Sequence, residues 1–294
     1  MVTTGLTKDY GNGRGLFDLH LEVREGEIFG FLGPNGAGKS TTIRLLMDMI
    51  RPTRGSARLL GLDAHQDSVV LKRRVGYLPG ELPDFGRMRC AEIVGYVMGI
   101  RRIDVTGRIS KLCDRFAIDL SPRFQELSRG NKQKIGLLLA FAHDPQLLIL
   151  DEPTAGLDPL MQQQFYDLVR QTRESGATVF LSSHVLSEVE EICERAAIVR
   201  EGRLAQIIEL SELHQIRLRH VEIVFERPPD EQRLREVPGV EDIAVDGASA
   251  RCVLRGSFEP LADVLAGMQV LDLTSHEPTL EETFLDVYRS AREG

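Results

Sequence analysis

The stretch "GPNGAGKST", residues 33–41, lies between the apolar run "EGEIFGFL" and the helix-like run "IRLLMDMI". It matches the pattern G-x-x-x-x-G-K-[ST], in the strand–loop–helix context that this pattern requires, through Gly33, Gly38, Lys39 and Ser40. Glycines let the backbone curl so that successive N–H groups converge on phosphate oxygens, and the following helix directs its positive end to the same place. The sequence therefore predicts that this loop binds a nucleoside triphosphate.

Two side chains of the loop predict how the triphosphate is held. Lys39 supplies a point charge to the β- and γ-phosphates, and Ser40 supplies a hydroxyl for Mg²⁺. A chance glycine-rich turn before a helix is the alternative. The strand-like run before the loop and the helix-like run after it argue against that alternative.

Two acidic residues follow a second buried apolar run. In "LLILDEP", Asp151 and Glu152 come at the end of the apolar run. This is the edge where a sheet of this class presents ligand-facing groups. An acid at the strand end can hold Mg²⁺, and a second acid beside it can polarise the water that attacks the γ-phosphate. An ordinary acidic turn is the alternative, but the apolar run before the acids and the phosphate loop upstream favour catalysis.

Strand-like and helix-like runs alternate through the first two-thirds of the chain, which predicts an α/β domain with a mostly parallel sheet. "EIFGFLG", "PQLLILDEP" and "ATVFLSSH" are typical of buried strands. Residues 82–145 are mostly helical in pattern and predict a helical insert in the α/β core. We place this ATP-binding domain at residues 1–215.

The remaining residues, 216–294, predict a separate accessory domain. Their apolar pattern follows the order β-α-β-β-α-β of a ferredoxin-like fold. A final helix is expected at "PTLEETFLDVY", where Thr279 and Glu282 form a T-x-x-E capping box.

Several classes of protein are disfavoured by what the sequence lacks. A GTPase would carry an N-K-x-D motif, whereas the only "NK", at Asn131, is followed by Gln133 and Lys134. A small-molecule kinase would lack the motifs that follow the acids. The net charge of -8 argues against a general nucleic-acid binder, which needs a basic face.

The cysteines and the apolar runs bear on the compartment. The four cysteines are scattered without a CxxC pair, so they form neither a zinc nor a disulfide framework and suit a reducing cytoplasm. The N-terminus is polar and glycine-rich, unlike a signal peptide. No apolar run reaches the roughly 20 residues that span a bilayer, so we expect this chain itself to cross no membrane.

Four motifs together identify a family. "GPNGAGKST", "LSRGNKQK", "LLILDEPTAGLDP" and "LSSH", in that order, closely resemble the ATP-binding subunits of ABC transporters over roughly residues 3–210. "GYLPGEL", "SRGNKQK" and "EPTLEETFLDVY" are most similar to the branch that serves ABC-2-type exporters, such as the drug-resistance ATPases. The resemblance implies a P-loop ATPase that uses ATP and Mg²⁺.

The resemblance also implies roles for single residues. Tyr10, before the first expected strand, would stack on adenine; Asp151 would be the metal-side acid and Glu152 the general base. His184 would contact the γ-phosphate and keep Glu152 and the water in register. The phosphates and Mg²⁺ would be held by Gly33, Asn35, Gly36, Ala37, Gly38, Lys39, Ser40 and Thr41.

The signature "LSRGNKQK" implies a homodimer. Ser128 and Gly130 open a helix expected to begin near Asn131, and in the family this helix end faces the ATP held by a partner subunit. Asp158, in "TAGLDP", would lie at the same interface between subunits. Two copies would therefore sandwich two ATP molecules with two-fold symmetry. A separate transmembrane permease would use the opening and closing motion, which would place the chain on the cytoplasmic face of the cell membrane.

Two departures from the family pattern stand out. The signature commonly reads LSGGQ, whereas Arg129 and Asn131 replace a glycine and the glutamine here. In "GYLPGEL", Gly80 replaces the glutamine that usually reaches Mg²⁺ and the water. Our hypothesis is that Glu81, one position on, serves as the mobile ligand and the residue that couples to the permease.

The sequence as a whole predicts the ATP-hydrolysing subunit of an ABC exporter. One alternative is a soluble ABC protein that acts on ribosomes or DNA, although such proteins usually have two cassettes or a long coiled-coil insertion. A second is a nucleotide-gated regulator with negligible hydrolysis, against which Glu152 and His184 argue. The transported substrate is not encoded here, because the surface that touches it belongs to the permease.

Overall fold

A computed structural model of the chain describes residues 1–101, 105–210 and 218–276. Contacts within the chain divide it into two units, Met1–Ile208 and Glu209–Gly294. The strands of the first unit are β1 Val2–Asp9, β2 Gly15–Glu22, β3 Ile28–Leu32, β4 Arg54–Leu59, β5 Leu62–Asp63, β6 Val75–Leu78, β7 Leu147–Asp151, β8 Thr178–Ser183, β9 Arg195–Arg200 and β10 Arg203–Glu209. Its helices are α1 Lys39–Leu46, α2 Ser68–Arg74, α3 Cys90–Arg101, α4 Thr106–Phe116, α5 Arg129–Phe141, α6 Pro159–Glu174 and α7 Leu186–Ile192.

A six-stranded sheet in the order β10-β9-β3-β8-β7-β6 forms the centre of the first unit. The pairs β3–β8, β3–β9, β7–β8 and β6–β7 are parallel, and every residue of β3, β7 and β8 is buried. Continuous apolar runs of this kind form strands that are covered on both faces. Parallel pairing brings the carboxyl ends of β3, β7 and β8 to one edge, which confirms the predicted P-loop type of core.

A four-stranded antiparallel sheet, in the order β2-β1-β4-β5, adds a layer that the sequence analysis did not assign. Its apolar side chains share one core with α1 and the central sheet, in which Phe29, Phe31 and Phe180 are fully buried. Burying each such ring contributes about 1.5–3 kcal/mol. The extra strands correct the position of Tyr10, which lies in the turn between β1 and β2 rather than before the first strand.

The predicted helical insert is confirmed by α3, α4 and α5. Two other helix ends differ from the sequence pattern, one in the insert and one outside it. Outside the insert, helix α1 ends at Leu46 and does not continue to Ile50, because Asp48 takes a left-handed conformation with φ of 51° and its N–H bonds back to Leu45. Helix α5 begins at Arg129, two residues before the expected start.

The second unit holds β11 Leu218–Phe225, α8 Glu231–Arg235, β12 Val240–Asp246, β13 Ser249–Arg255, α9 Glu259–Leu265 and β14 Val270–His276. The strands pair antiparallel in the order β12-β13-β11-β14, with alternating side chains such as Val221, Ile223 and Phe225 in a core of their own. This is the predicted ferredoxin-like order. The helix expected at "PTLEETFLDVY", with Thr279 and Glu282, lies outside the described residues.

Over the described ranges, no helix has both the length and the apolar character needed to span a bilayer.

Candidate functional site

Three loops meet at the carboxyl edge of the central sheet. The loop at residues 33–38 follows β3, Glu152 follows β7, and His184 follows β8. The Gly33 N–H donates to the carbonyl of Ser183 at 3.4 Å, and the Glu152 N–H donates to that of Ser182 at 3.1 Å. The fold therefore brings together residues that stand more than a hundred positions apart in the chain.

The loop after β3 turns directly into helix α1. Gly38 is the N-cap residue, with φ of 105° in the left-handed region, which glycine adopts without the steric cost of a Cβ atom. A Cβ atom here would lie 3.4 Å from the carbonyl oxygen of Gly15 and from the Cα of Gly202, in ordinary van der Waals contact. The N–H groups at the start of α1 thus face the loop, as an anion-binding site requires.

Lys39 places a buried cation inside this loop. Its side chain is only 6% exposed, and its Nζ donates to the carbonyl of Gly33 at 2.6 Å and to that of Pro34 at 3.3 Å. The same Nζ lies 3.3 Å from Oε1 of Glu152. Because a phosphate oxygen is a stronger partner for an ammonium than a carbonyl is, this cation can move to a bound triphosphate at little cost.

Glu152 and His184 form a close pair. Nδ1 of His184 lies 2.7 Å from Oε2 of Glu152, with side-chain exposures of 49% and 21%. An ionised carboxylate can only accept, so Nδ1 carries the proton in this bond. Glu152 itself has φ of 50°, an uncommon left-handed conformation for a residue with a side chain. Lys39, Glu152 and His184 therefore form one connected chain of polar groups.

Asp151 is buried behind this chain. Its Oδ1 accepts from the hydroxyl of Ser182 at 2.5 Å. Burial first, and then the Asp151 carboxylate, raise the pKa of Tyr77 to about 12, so this phenol stays neutral. Asp151 and Ser40 both line a cleft of about 920 Å³ and present a carboxylate and a hydroxyl to it.

Gly80 and Glu81 line the same cleft. A Cβ atom on Gly80 would lie 3.2 Å from Oδ2 of Asp151, so a side chain at this position would start directly against that carboxylate. Glu81 is exposed to solvent. The structure therefore brings Glu81 to the cleft that holds Ser40 and Asp151.

The signature residues form a second group at the start of α5. Ser128 is the N-cap of the helix, and its Oγ accepts from the Asn131 N–H at 3.3 Å. A Cβ atom on Gly130 would lie 2.6 Å from the carbonyl oxygen of Gly156, so only glycine fits here. Asp158 caps α6 by accepting from the N–H of Met161 at 3.0 Å. The side chains of Ser128 and Arg129 are exposed.

Tyr10 is 53% exposed, and the ammonium of Lys8 lies 5.5 Å from its ring centre. Its N–H donates to the carbonyl of Arg14, one residue before β2. Gly15, which follows, packs against Gly38 of the phosphate loop. The turn that carries Tyr10 is thus linked to the loop by close backbone packing.

Two polar residues near the site have no role in the sequence analysis. Gln133, buried in α5, donates from Nε2 to the carbonyls of Glu152 and Pro153, at 3.2 and 2.9 Å. Glu188, buried in α7, accepts from the hydroxyls of Thr154 and Ser183. The only sequence signal for Gln133 and Glu188 was a polar residue on an otherwise buried helix face. Their hydrogen-bond partners lie on other segments of the chain, so the sequence pattern did not reveal them.

Comparison with known proteins assigns the chain to a family. The family model described as "ABC transporter" matches residues 16–155. The "Bacitracin transport ATP-binding protein BcrA" of Bacillus licheniformis is 32% identical over 294 residues, which cover 96% of this chain and 95% of that protein.

Solved structures agree with this match. The "Structure of ATP binding subunit of ABC transporter" has a TM-score of 0.68 and 27% identity, and it covers 73% of this chain and 91% of its own. A dimeric ATP-binding cassette, MJ0796, bound to ADP and phosphate has a TM-score of 0.62 at 21% identity, over 71% of this chain and 98% of its own. The last likeness bears on the fold alone.

Proposed function

The chain belongs to the ABC transporter family, as an ATP-binding, ATP-hydrolysing subunit of the exporter type, and we propose that Glu152 and His184 carry out the hydrolysis. The observation that carries this proposal is the continuous contact of Lys39, Glu152 and His184 at the carboxyl edge of the sheet. The base lies there within hydrogen-bond reach of both a cation and an orienting imidazole, as a site for phosphoryl transfer to water needs.

In this mechanism, Glu152 accepts a proton from a water molecule whose oxygen attacks the γ-phosphorus in line with the bond to the β–γ bridging oxygen. That bond breaks, and ADP and phosphate leave. The bond from His184 Nδ1 keeps the Glu152 carboxylate directed at the water. Lys39 exchanges its loop carbonyls for phosphate oxygens and so neutralises the charge that develops there.

Ser40 and Asp151 would hold Mg²⁺. The donor set fits, since a hydroxyl and a carboxylate oxygen are hard ligands and both line the same cleft. The ion would supply charge neutralisation at the β- and γ-phosphates. We assign the remaining contacts of the triphosphate to loop residues Asn35, Gly36, Ala37 and Thr41, and the adenine to Tyr10.

The working unit that we propose is a homodimer in which two copies enclose two ATP molecules. Ser128 and Gly130 at the start of α5 offer N–H groups and a hydroxyl to the ATP of the partner subunit, and Asp158 lies in the same surface group. Arg129 adds a cation beside these donors, where a glycine is usual. Its exposed side chain supports a contact with the phosphates of the partner subunit's ATP.

We further propose that a separate transmembrane permease docks at the 920 Å³ cleft. The cleft is lined by Ser40, Glu81 and Asp151 and also by apolar side chains such as Met49 and Val97. An inserted apolar segment would therefore touch both kinds of side chain and sense the state of the nucleotide. Such docking would place the chain at the inner face of the cell membrane. The match to a transport ATP-binding protein over almost its whole length favours this partner over ribosomes or DNA.

Changing Glu81 to alanine should lower ATP turnover about tenfold and uncouple it from transport, because the cleft loses the carboxylate that we place in the role of the missing glutamine. ATPase activity and permease-dependent transport would be measured together. Glu174→Ala, which removes an exposed carboxylate at the end of α6, is the matched control. Intact ATPase activity and intact transport in Glu81→Ala would remove the proposed role.

For residues 216–294 we propose a role in dimerisation or permease binding. Deleting these residues should weaken one of the two associations. The deletion leaves the ATP site complete, because the second unit has a core of its own and the first unit keeps the whole site. Sedimentation of the ATP-bound dimer and co-purification with the permease would measure the two effects. If neither changes, the second unit has no role in either association.

A further inference from the structure

A buried carboxylate outside the proposed catalytic pair connects the segments that carry the pair. Glu188 of α7 is 9% exposed. Its Oε1 accepts from the hydroxyl of Thr154, and its Oε2 accepts from the hydroxyl of Ser183 at 2.7 Å. Thr154 stands two residues after Glu152, and Ser183 stands directly before His184. One side chain therefore joins the loop of the base to the loop of the imidazole.

The bond to Ser183 determines the path of the backbone at His184. The Val185 N–H donates to Ser183 Oγ at 2.9 Å, which closes a short turn around His184. A serine hydroxyl has one proton to donate, and here that proton goes to Glu188. The carboxylate thus orients the hydroxyl so that its lone pair faces the Val185 N–H. Without Glu188 the hydroxyl could rotate, and the turn that presents His184 would loosen.

The bond to Thr154 acts on the other catalytic loop. Glu152 has a left-handed backbone conformation, which a residue with a side chain keeps only where its surroundings hold it. Gln133 holds the carbonyls of Glu152 and Pro153, and Glu188 holds the next side chain, Thr154. The segment after Glu152 is therefore restrained on both its backbone and its side chain.

We propose that Glu188 is a positioning residue for ATP hydrolysis, which keeps the Glu152 carboxylate and the His184 imidazole in register by holding Thr154 and Ser183 together. Glu188 touches neither residue of the pair in this role and acts through the loops that bear them. The inference rests on the catalytic roles proposed above for Glu152 and His184.

Changing Glu188 to glutamine tests the proposal. The amide has the same shape but only one accepting oxygen, so one of the two hydroxyls loses its acceptor and the register of the pair relaxes. We expect kcat to fall about tenfold or more, because small misplacements of catalytic groups are costly. KM for ATP should change less than about twofold, since the phosphate loop is untouched. Thr154→Val and Ser183→Ala should each lower kcat in the same way.

A matched control separates positioning from general stability. Glu27 is also a buried carboxylate of the same unit, bonded to Arg195 at 3.2 Å and to the Arg24 N–H, at the opposite end of β3 from the phosphate loop. Thermal unfolding of Glu188→Gln and Glu27→Gln would be followed by circular dichroism, and kinetics measured well below both transitions. Glu27→Gln should keep the kcat of the unchanged chain.

A second readout asks whether Glu188 acts through His184. In a His184→Ala background, Glu188→Gln should lower kcat less than about threefold, because one of the two groups that it keeps in register is gone. Full additivity of the two changes would overturn the proposal, and so would an unchanged kcat in Glu188→Gln. If Glu152→Gln itself retained normal turnover, the catalytic assignment would fail instead, which distinguishes the two failures.

Discussion

Replacing Glu152 with glutamine is expected to lower kcat for ATP hydrolysis at least about a hundredfold, while ATP binding survives. Glutamine keeps the shape of the side chain and can accept from His184 Nδ1 through its oxygen, but it cannot take the proton of the attacking water. Lys39 loses only one of its partners, because the carbonyls of Gly33 and Pro34 remain. Phosphate release at saturating ATP would measure the change.

The same variant should accumulate as an ATP-bound dimer, since the step that removes the γ-phosphate is blocked. Size-exclusion chromatography with light scattering, with and without ATP, would measure the dimer. Glu174→Gln, at an exposed position at the end of α6, serves as the control and should hydrolyse normally. Turnover close to that of the unchanged chain in Glu152→Gln would refute the assignment of the general base.

Two inactive variants are expected to restore each other in part when mixed. If each ATP lies between Lys39 of one copy and Ser128 of the partner subunit, then Lys39→Ala spoils both sites of a pure dimer, and so does Ser128→Arg. A mixed dimer of the two carries both changes in one site and neither in the other. Each lost charge-assisted contact is worth about 1.5–3 kcal/mol, so each pure variant should dimerise at least about tenfold more weakly.

The mixing experiment is best made in the Glu152→Gln background, where hydrolysis does not consume the dimer. Neither variant alone should dimerise with ATP at a concentration where the parent does, and the mixture should. Ser175→Arg adds the same side chain at an exposed serine after α6 and should dimerise like the parent. A mixture that stays monomeric beside a dimeric parent would contradict the shared site.

Much of the site was predictable because its motifs are local in sequence. A glycine loop, a lysine and a helix start lie within nine residues, and a strand-end acid pair or a histidine after a strand is defined by its neighbours. The α/β class, the helical insert and the ferredoxin-like order were predicted in the same way, from runs of apolar residues whose period reports the element. The roles of the single residues stay predictions until the variants are measured.

Other features depend on partners that are distant in the chain. The turn that holds Tyr10 exists because β1 and β2 form part of an antiparallel sheet whose strands the apolar pattern did not reveal. The approach of Gly80 to Asp151, and of Gly130 to Gly156, is a matter of backbone packing between separate segments.

By itself, the sequence determined that this chain is an ABC-type ATPase and predicted which residues face the nucleotide, because short motifs encode local backbone shape and chemical groups. Only the tertiary structure showed that Glu152 contacts both Lys39 and His184, and that Gln133 and Glu188 bond to the loops that carry Glu152 and His184. A hydrogen bond needs two groups within about 3 Å. Which distant segments come that close is decided by strand order and register, which no short stretch of sequence contains.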